Sequence, residues 1–165
     1  VNPEIIVQRA RRQDLAPLGK LIAKATGGKK APEENELLET FLTRSYFIAF
    51  SDKHLLGAAG WGAENLVATI EELYVVSDRI HSVVAPPLLK AIEDAATELF
   101  CEVVLLAIPA DAPGNQLNTY RELGYNPQPV ESLHKYWREA AEGLLPEGTT
   151  VLLKRLREAR VVKPI

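Results

Sequence analysis

The stretch LYVVSDRIHSVVAPPLLKAIEDAA, residues 73–96, passes from an apolar strand through a short break into an amphipathic helix. Its beginning closes a longer apolar run, LVATIEELYVV (66–76), suited to a central strand. Pro86-Pro87 fit the first turn of a helix, where a missing N–H costs little, and Leu88, Leu89, Ile92, Ala96 and Leu99 then recur on one face. Residues 80–85 therefore read as a loop feeding a helix N-terminus, a natural seat for an anion. The loop has no glycine to let a ligand approach the backbone closely.

Downstream, CEVVLLAIP (101–109) reads as a second buried strand. APGNQLNTYRELGY (112–125) is a short helix closed by Gly124 in a left-handed cap, and residues 125–130 return as a strand. VESLHKYWREAAEGLLPEGT is a helical insert with Leu133, Tyr136, Trp137 and Ala140 on one side, and TTVLLKRL is a closing strand. Upstream, EIIVQRA (4–10) is a strand and DLAPLGKLIAKAT a helix that Gly27-Gly28 stops. A second helix over residues 32–44 carries Leu37, Leu38, Phe41 and Leu42 on one face. YFIAFSDKHLLGAAGWG is a pair of strands turning at Ser51-Asp52-Lys53, and a further break at Ala63-Glu64-Asn65 completes a three-strand meander.

The 165 residues, 47% hydrophobic and 25% charged, suit one globular domain. A net charge of −3, with 19 Lys and Arg scattered among 22 Asp and Glu, argues against a nucleic-acid partner. No segment approaches the roughly 20 apolar residues of a membrane span, and the first twenty residues do not read as a signal peptide. The single cysteine, Cys101, excludes an internal disulfide and fits a cytoplasmic setting, and no Cys/His spacing of a metal site is present. The run LKRLREARVVKP, with Lys154, Arg155, Arg157, Arg160 and Lys163, reads as a solvated basic surface.

The order strand, helix, helix, three strands, helix, strand, helix, strand, strand, with NTYRELGY (118–125) after a helix and before a late strand, resembles the GCN5-related N-acetyltransferase (GNAT) superfamily over residues 4–156. The resemblance implies an α/β (α+β) fold in three layers, a central mixed and mostly antiparallel sheet flanked by helices, as a single domain over residues 1–165. In that family a Gln/Arg-x-x-Gly-x-Gly/Ala segment opens the helix after the central strand. Aligned on Leu88-Leu89, Ile80 stands at the Gln/Arg position, Val83 at the first glycine and Ala85 at the second. The family carries the coenzyme A pyrophosphate on backbone N–H groups there, which implies acetyl-CoA as co-substrate. The resemblance assigns to it His81, Ser82, Val83, Val84 and Ala85, with Leu73 and Val75 on the strand and Asn115 on the later helix. Val83 adds bulk and Pro86 removes an N–H, so the acetyl-CoA loop is degenerate.

By the same resemblance Tyr120 is the acid that protonates the thiolate leaving group, and Glu72 or Glu71 the carboxylate that relays a proton from the amine. The structural alternatives are a Tyr120 that only packs, and glutamates that are merely solvated; alternation sends Glu71 and Glu72 to opposite strand faces. Trp61, between Gly60 and Gly62, is a candidate wall of an acceptor pocket or simply a core filler. Trp137 and Tyr136 cap a cleft or dock the insert. His81 contacts phosphate or is exposed, whereas His54 and His134 read as surface residues. The Gly27-Gly28-Lys29-Lys30 loop lacks Walker spacing, and in the family such a loop borders the acceptor.

The reading that follows is an acyl-CoA-dependent N-acyltransferase moving an acetyl group to a primary amine on a small molecule or a protein. The alternative is a non-catalytic GNAT-like module that binds a ligand or a protein partner. The degenerate loop favours the module; Tyr120 and Ala85 favour the enzyme. A homodimer sharing the TTVLLKRL strand is a further expectation.

Overall fold

The structure, a computed structural model, describes residues 4–144 and 149–157. In chain order they form β1 (Ile6–Arg9), α1 (Leu15–Ala25), α2 (Glu34–Phe41), β2 (Ser45–Ser51), β3 (His54–Glu64) and β4 (Val67–Val75). Then follow α3 (His81–Glu98), β5 (Val103–Pro109), α4 (Gly114–Glu122), β6 (Asn126–Pro127), α5 (Lys135–Gly143) and β7 (Thr149–Arg155). The strands hydrogen-bond in the order β1-β2-β3-β4-β5-β7-β6. The mixed, mostly antiparallel sheet that the resemblance implies is present, with β4 running parallel to β5. Arg160 and Lys163 of the basic run lie outside the described residues.

The chain divides into two compact units, one of residues up to Gly62 with Glu72–Ile92, the other of Ala63–Glu71 with residues from Glu93 on. In the first, β1 pairs antiparallel with β2 from Ile6↔Phe50 to Arg9↔Phe47, and β2 with β3 from Ser45↔Trp61 to Ser51↔His54. The turn between β2 and β3 has two central residues of positive φ, Asp52 at 47° and Lys53 at 67°, the backbone that matches strand twist in a tight hairpin. Leu15, Leu18, Leu21 and Ile22 of α1 bury against Leu37, Ile48 and Ala58, the helical stripe meeting one face of the strands. Helix α2 is shorter than the sequence suggests, and its apolar residues do not share a face: Leu37 is buried, whereas Leu38 and Leu42 are 39% and 83% exposed. Leu37 and Phe41 lie four residues apart on the inner side, and their following neighbours are turned about 100° away.

The opening stretch departs from expectation in one respect. Helix α3 starts at His81, not at Pro86, after a short 3₁₀ turn over Asp78–Ile80. Pro86 and Pro87 therefore sit inside the helix, in its second turn, and the carbonyls of Ser82 and Val83 lack helical donors.

In the second unit β5 is buried along almost its whole length, as expected of a strand with neighbours on both sides. It runs parallel to β4 from Val67↔Val103 to Ile70↔Leu106 and antiparallel to β7 from Val103↔Arg155 to Pro109↔Thr149. Strand β7, nominated by the sequence for a shared interface, is bonded to β5 throughout and to β6 at Leu152 and Leu153. The strand expected over residues 125–130 shrinks to Asn126–Pro127, because Pro127 and Pro129 cannot donate to a ladder. Trp137 and Ala141 of α5 form a buried stripe with Leu133 before the helix and Leu144 just after it, while Tyr136 is exposed.

Helix α3 ends in a Schellman motif, with Phe100 N–H donating to Thr97 O at 3.0 Å and Cys101 N–H to Ala96 O at 2.9 Å. The left-handed position is filled by Phe100 at φ 62°, where glycine is usual, and its side chain is 69% exposed. Leu99, expected in the buried stripe, falls just past the helix and is also exposed. A β-carbon in the left-handed region costs about 1–2 kcal/mol, and little burial is at stake. Phe100→Gly is thus expected to stabilise the protein by about 1 kcal/mol and raise Tm by about 2–4 °C, read by calorimetry.

Candidate active site

Within the first unit, Glu72 and Tyr74 project from the same face of β4, as alternation requires, and meet Tyr46 of β2 and Arg44 just before it. Arg44 Nη1 lies 2.8 Å from Glu72 Oε2, which also accepts from the Tyr46 hydroxyl; Tyr74 OH donates to Oε1 at 2.9 Å. Burial by itself pushes the Glu72 carboxyl up, but hydrogen bonds from Tyr46 and Tyr74 and the Arg44 charge outweigh it and hold the group below its ordinary value. Burial and then the adjacent carboxylate push both phenols well above theirs. At neutral pH the cluster is an ionised carboxylate held by two protonated phenols and a guanidinium.

Gly60 makes this arrangement possible. It stands opposite Tyr46 in the ladder, and a β-carbon there would lie 2.8 Å from the Tyr46 ring and 2.9 Å from Arg44 Cδ. The room beside Trp61 is thus filled by Tyr46 and Arg44 and is not left for an acceptor. Trp61 points to the other strand face, is 4% exposed and stacks on Phe47 at 6.4 Å between ring centroids. The candidate acceptor wall is corrected to a core residue.

Above Glu72 opens a cleft of about 370 Å³ whose polar lining is Lys30, Glu36, Thr40, Tyr46, Glu72 and Tyr74. Ile22 and Leu37 supply apolar surface. Lys30 Nζ donates to Tyr74 OH at 3.4 Å and stands 5.9 Å from the centroid of its ring. The glycine-lysine loop after α1 therefore does border a cleft, through Lys30. Glu71 is exposed and, by alternation, faces away from the Glu72 side, so of the two glutamates only Glu72 lines the cleft.

The residues assigned to pyrophosphate lie in the first turns of α3, not in a loop. His81 N–H is given to Asp78 O, and a helix beginning at His81 commits the N–H groups of Val84 and Ala85 to carbonyls four residues back. The helical pattern leaves those of Ser82 and Val83. Ser82 is exposed and Val83 half-buried, whereas the side chains of His81, Val84 and Ala85 are buried. The His81 imidazole, expected at the surface, is only 5% exposed, and burial lowers its pKa against the opposing pull of Asp78. Leu73 and Val75 are half-buried on β4. Pro86 removes no donor from the first turn, so that objection to an anion lapses.

In the second unit, Tyr120 is 3% exposed on α4, and burial keeps its phenol protonated well above the ordinary range. The LGY part of its segment has a clear physical basis. Gly124 caps α4 at φ 96°, and Tyr125 N–H donates to Tyr120 O at 2.9 Å. Tyr125 OH donates to Glu93 Oε2 at 2.9 Å, Lys154 Nζ pairs with Glu93 Oε1 at 2.8 Å, and the Lys154 ammonium stands 5.6 Å from the Tyr125 ring centroid. Asn115 is exposed in the first turn of α4, where its carbonyl accepts from Thr119 Oγ1. His54 is exposed, and His134 is half-buried with its ring 4.2 Å from that of Trp137.

Sequence reading missed Tyr46, Tyr74 and Arg44. The one available signal was the alternation that puts Glu72 and Tyr74 on one face of a strand.

No protein-family model matches the sequence, and no curated protein does either. Solved structures do match. The paia N-acetyltransferase from Thermoplasma acidophilum in complex with coenzyme A superposes with a TM-score of 0.70 at 13% identity, over 92% of this chain and 99% of its own. The ribosomal-protein-S18-alanine N-acetyltransferase from Escherichia coli gives 0.70 at 12% identity over 98% and 100%. A GNAT superfamily phosphinothricin acetyltransferase from Sinorhizobium meliloti, in complex with AcCoA, gives 0.67 at 18% over 98% and 93%. This chain has the fold of the GNAT acetyltransferases.

Proposed function

We propose that the protein is an acyl-CoA-dependent N-acyltransferase that acetylates a primary amine. The observation that carries this reading is the half-buried, ionised Glu72 lining a cleft on β4 in a chain of this fold. Structures of this fold hold coenzyme A or acetyl-CoA, and matches spanning nearly all of both chains support treating residues 1–165 as one such domain.

Acetyl-CoA, when bound, supplies an acetyl thioester. The residues present suit it: the N–H groups of Ser82 and Val83 and the Ser82 hydroxyl offer donors to the pyrophosphate at a helix N-terminus. Backbone N–H groups near Leu73 to Val75 steady the negative charge that develops on the carbonyl oxygen. Glu72 receives the proton lost by the attacking amine nitrogen as the C–N bond forms. A phenol held protonated, as Tyr120 is, suits the proton donor that the sulfur needs as the C–S bond breaks. The lone, buried Cys101 supports a reducing, cytoplasmic setting.

Calorimetric titration with acetyl-CoA and with CoA in phosphate-free buffer tests the reading. Micromolar binding, about −8 kcal/mol, is expected. Tyr120→Phe is expected to keep that affinity and to lower kcat about 10²-fold with any accepted amine. No heat and no thermal shift at millimolar acetyl-CoA would reject the transferase and leave the binding-module reading.

A further inference from the structure

The lining of the Glu72 cleft carries two carboxylates, Glu72 and the exposed Glu36, and one cation, Lys30, so it is not the purely anionic site that a simple amine would need. Glu72 and Arg44 cancel one another at 2.8 Å, and three of the four acceptor positions of the carboxylate are taken by Arg44, Tyr46 and Tyr74. Lys30 is different. It lines the same cleft, forms no ion pair among the described residues, and gives one of its three donors to the Tyr74 hydroxyl over a long 3.4 Å. A single phenol oxygen bridges the two groups, 3.4 Å from Lys30 Nζ and 2.9 Å from Glu72 Oε1.

An acceptor that offered only cationic amines, such as a polyamine, has Glu72 and the exposed Glu36 to pair with but meets a like charge at Lys30, with which Glu36 forms no ion pair among the described residues. A peptide N-terminus would place a neutral amide there and leave the ammonium unanswered. A molecule with an acid group one or two carbons from its amine satisfies both ends: the carboxylate accepts from Lys30, and the amine turns to the open acceptor position of Glu72. A cleft of about 370 Å³ is near the small end of ligand sites, which run from about 300 to 1,000 Å³. Resting on the transferase reading above, we infer that the acceptor is a small amino acid-like molecule, its carboxylate held by Lys30 and its amine by Glu72.

The test compares an equimolar pool of the twenty L-amino acids with a pool of their C-terminal amides. Thiol release from acetyl-CoA and product mass are read for wild type and Lys30→Gln. The amides have the less basic amine and more of it in the attacking form, so any preference for the acids opposes intrinsic reactivity. A preference for the acids of at least about tenfold in kcat/KM is expected, equivalent to about 1.4 kcal/mol. Lys30→Gln should bring the two pools to within about twofold. Amides accepted as well as acids, or a ratio untouched by Lys30→Gln, would overturn the assignment.

If no amine at all is acetylated and acetyl-CoA does not bind, the transferase reading fails by itself. Ligand-detected NMR of the same pools without acetyl-CoA then decides the site. Broadening of amino-acid resonances that exceeds that of the amides and is lost in Lys30→Gln sustains it; equal or absent broadening overturns it.

Discussion

Glu72→Gln is expected to lower kcat/KM for the accepted amine by about 10²- to 10³-fold while leaving the secondary structure intact. The glutamine keeps the shape of the side chain and still offers one oxygen to Tyr46 or Tyr74, but it removes the charge that pairs with Arg44 and that, in the proposed function, receives the amine proton. Stability should fall as well. Breaking a buried ion pair costs about 3–5 kcal/mol. Here the two side chains are 24% and 18% exposed, so solvent screening reduces the cost to about 1–2 kcal/mol.

The pH dependence gives the sign. Glu72 has a folded-state pKa below its ordinary 4.5, so its stabilisation is fully present above that value and is lost as pH falls through the lower folded one. Wild type and Glu72→Gln should therefore differ in urea midpoint at pH 7 and converge in acid. A gap that persists unchanged at pH 2 would show that shape, not charge, is responsible.

The second large effect is expected at Gly57, in the first half of β3. A β-carbon there would stand 2.6 Å from Val84 Cγ1, 3.0 Å from Tyr74 O and 3.2 Å from Leu88 Cδ1. Val84 and Leu88 belong to α3 and are fully buried, and the Tyr74 carbonyl is main chain, so none can yield cheaply. Gly57→Ala should cost about 2–3 kcal/mol by overpacking and lower Tm by about 5–10 °C. Gly143→Ala is the control: nothing lies within 4 Å of its β-carbon, and it ends α5, where alanine favours the helix. A Gly57→Ala protein as stable as wild type would mean that α3 can move off β3. Because the same substitution presses on Tyr74 and on the first turns of α3, kcat/KM should fall with stability.

Much of the fold was legible because its signals are local. The hairpin turn at Asp52-Lys53, the glycines that end α1 and α4, and the stripe Leu88, Leu89, Ile92 and Ala96 each depend on residues a few positions apart. Where local chemistry is ambiguous the reading slipped. Two prolines look like a helix start, yet α3 begins five residues earlier, with Val84 and Ala85 fully buried in its first turns and only the carbonyls of Ser82 and Val83 deprived of helical donors. Leu38 and Leu42 look like core, but only one side of α2 has anything to pack against.

The site divides along the same line. Sequence by itself determined the strand and helix order, the Tyr120-to-Tyr125 cap and the alternation that separates Glu71 from Glu72. Only the tertiary structure decided that Glu72 is a charged, triply bonded carboxylate. Its partners Arg44 and Tyr46 lie 28 and 26 residues away in the chain. It likewise put Lys30 over Tyr74, 44 residues distant, and turned Trp61 into core. The physical reason is that propensity and capping act over a turn or two of chain, whereas the ionisation of a carboxylate depends on the burial and the donors that sheet pairing brings from elsewhere.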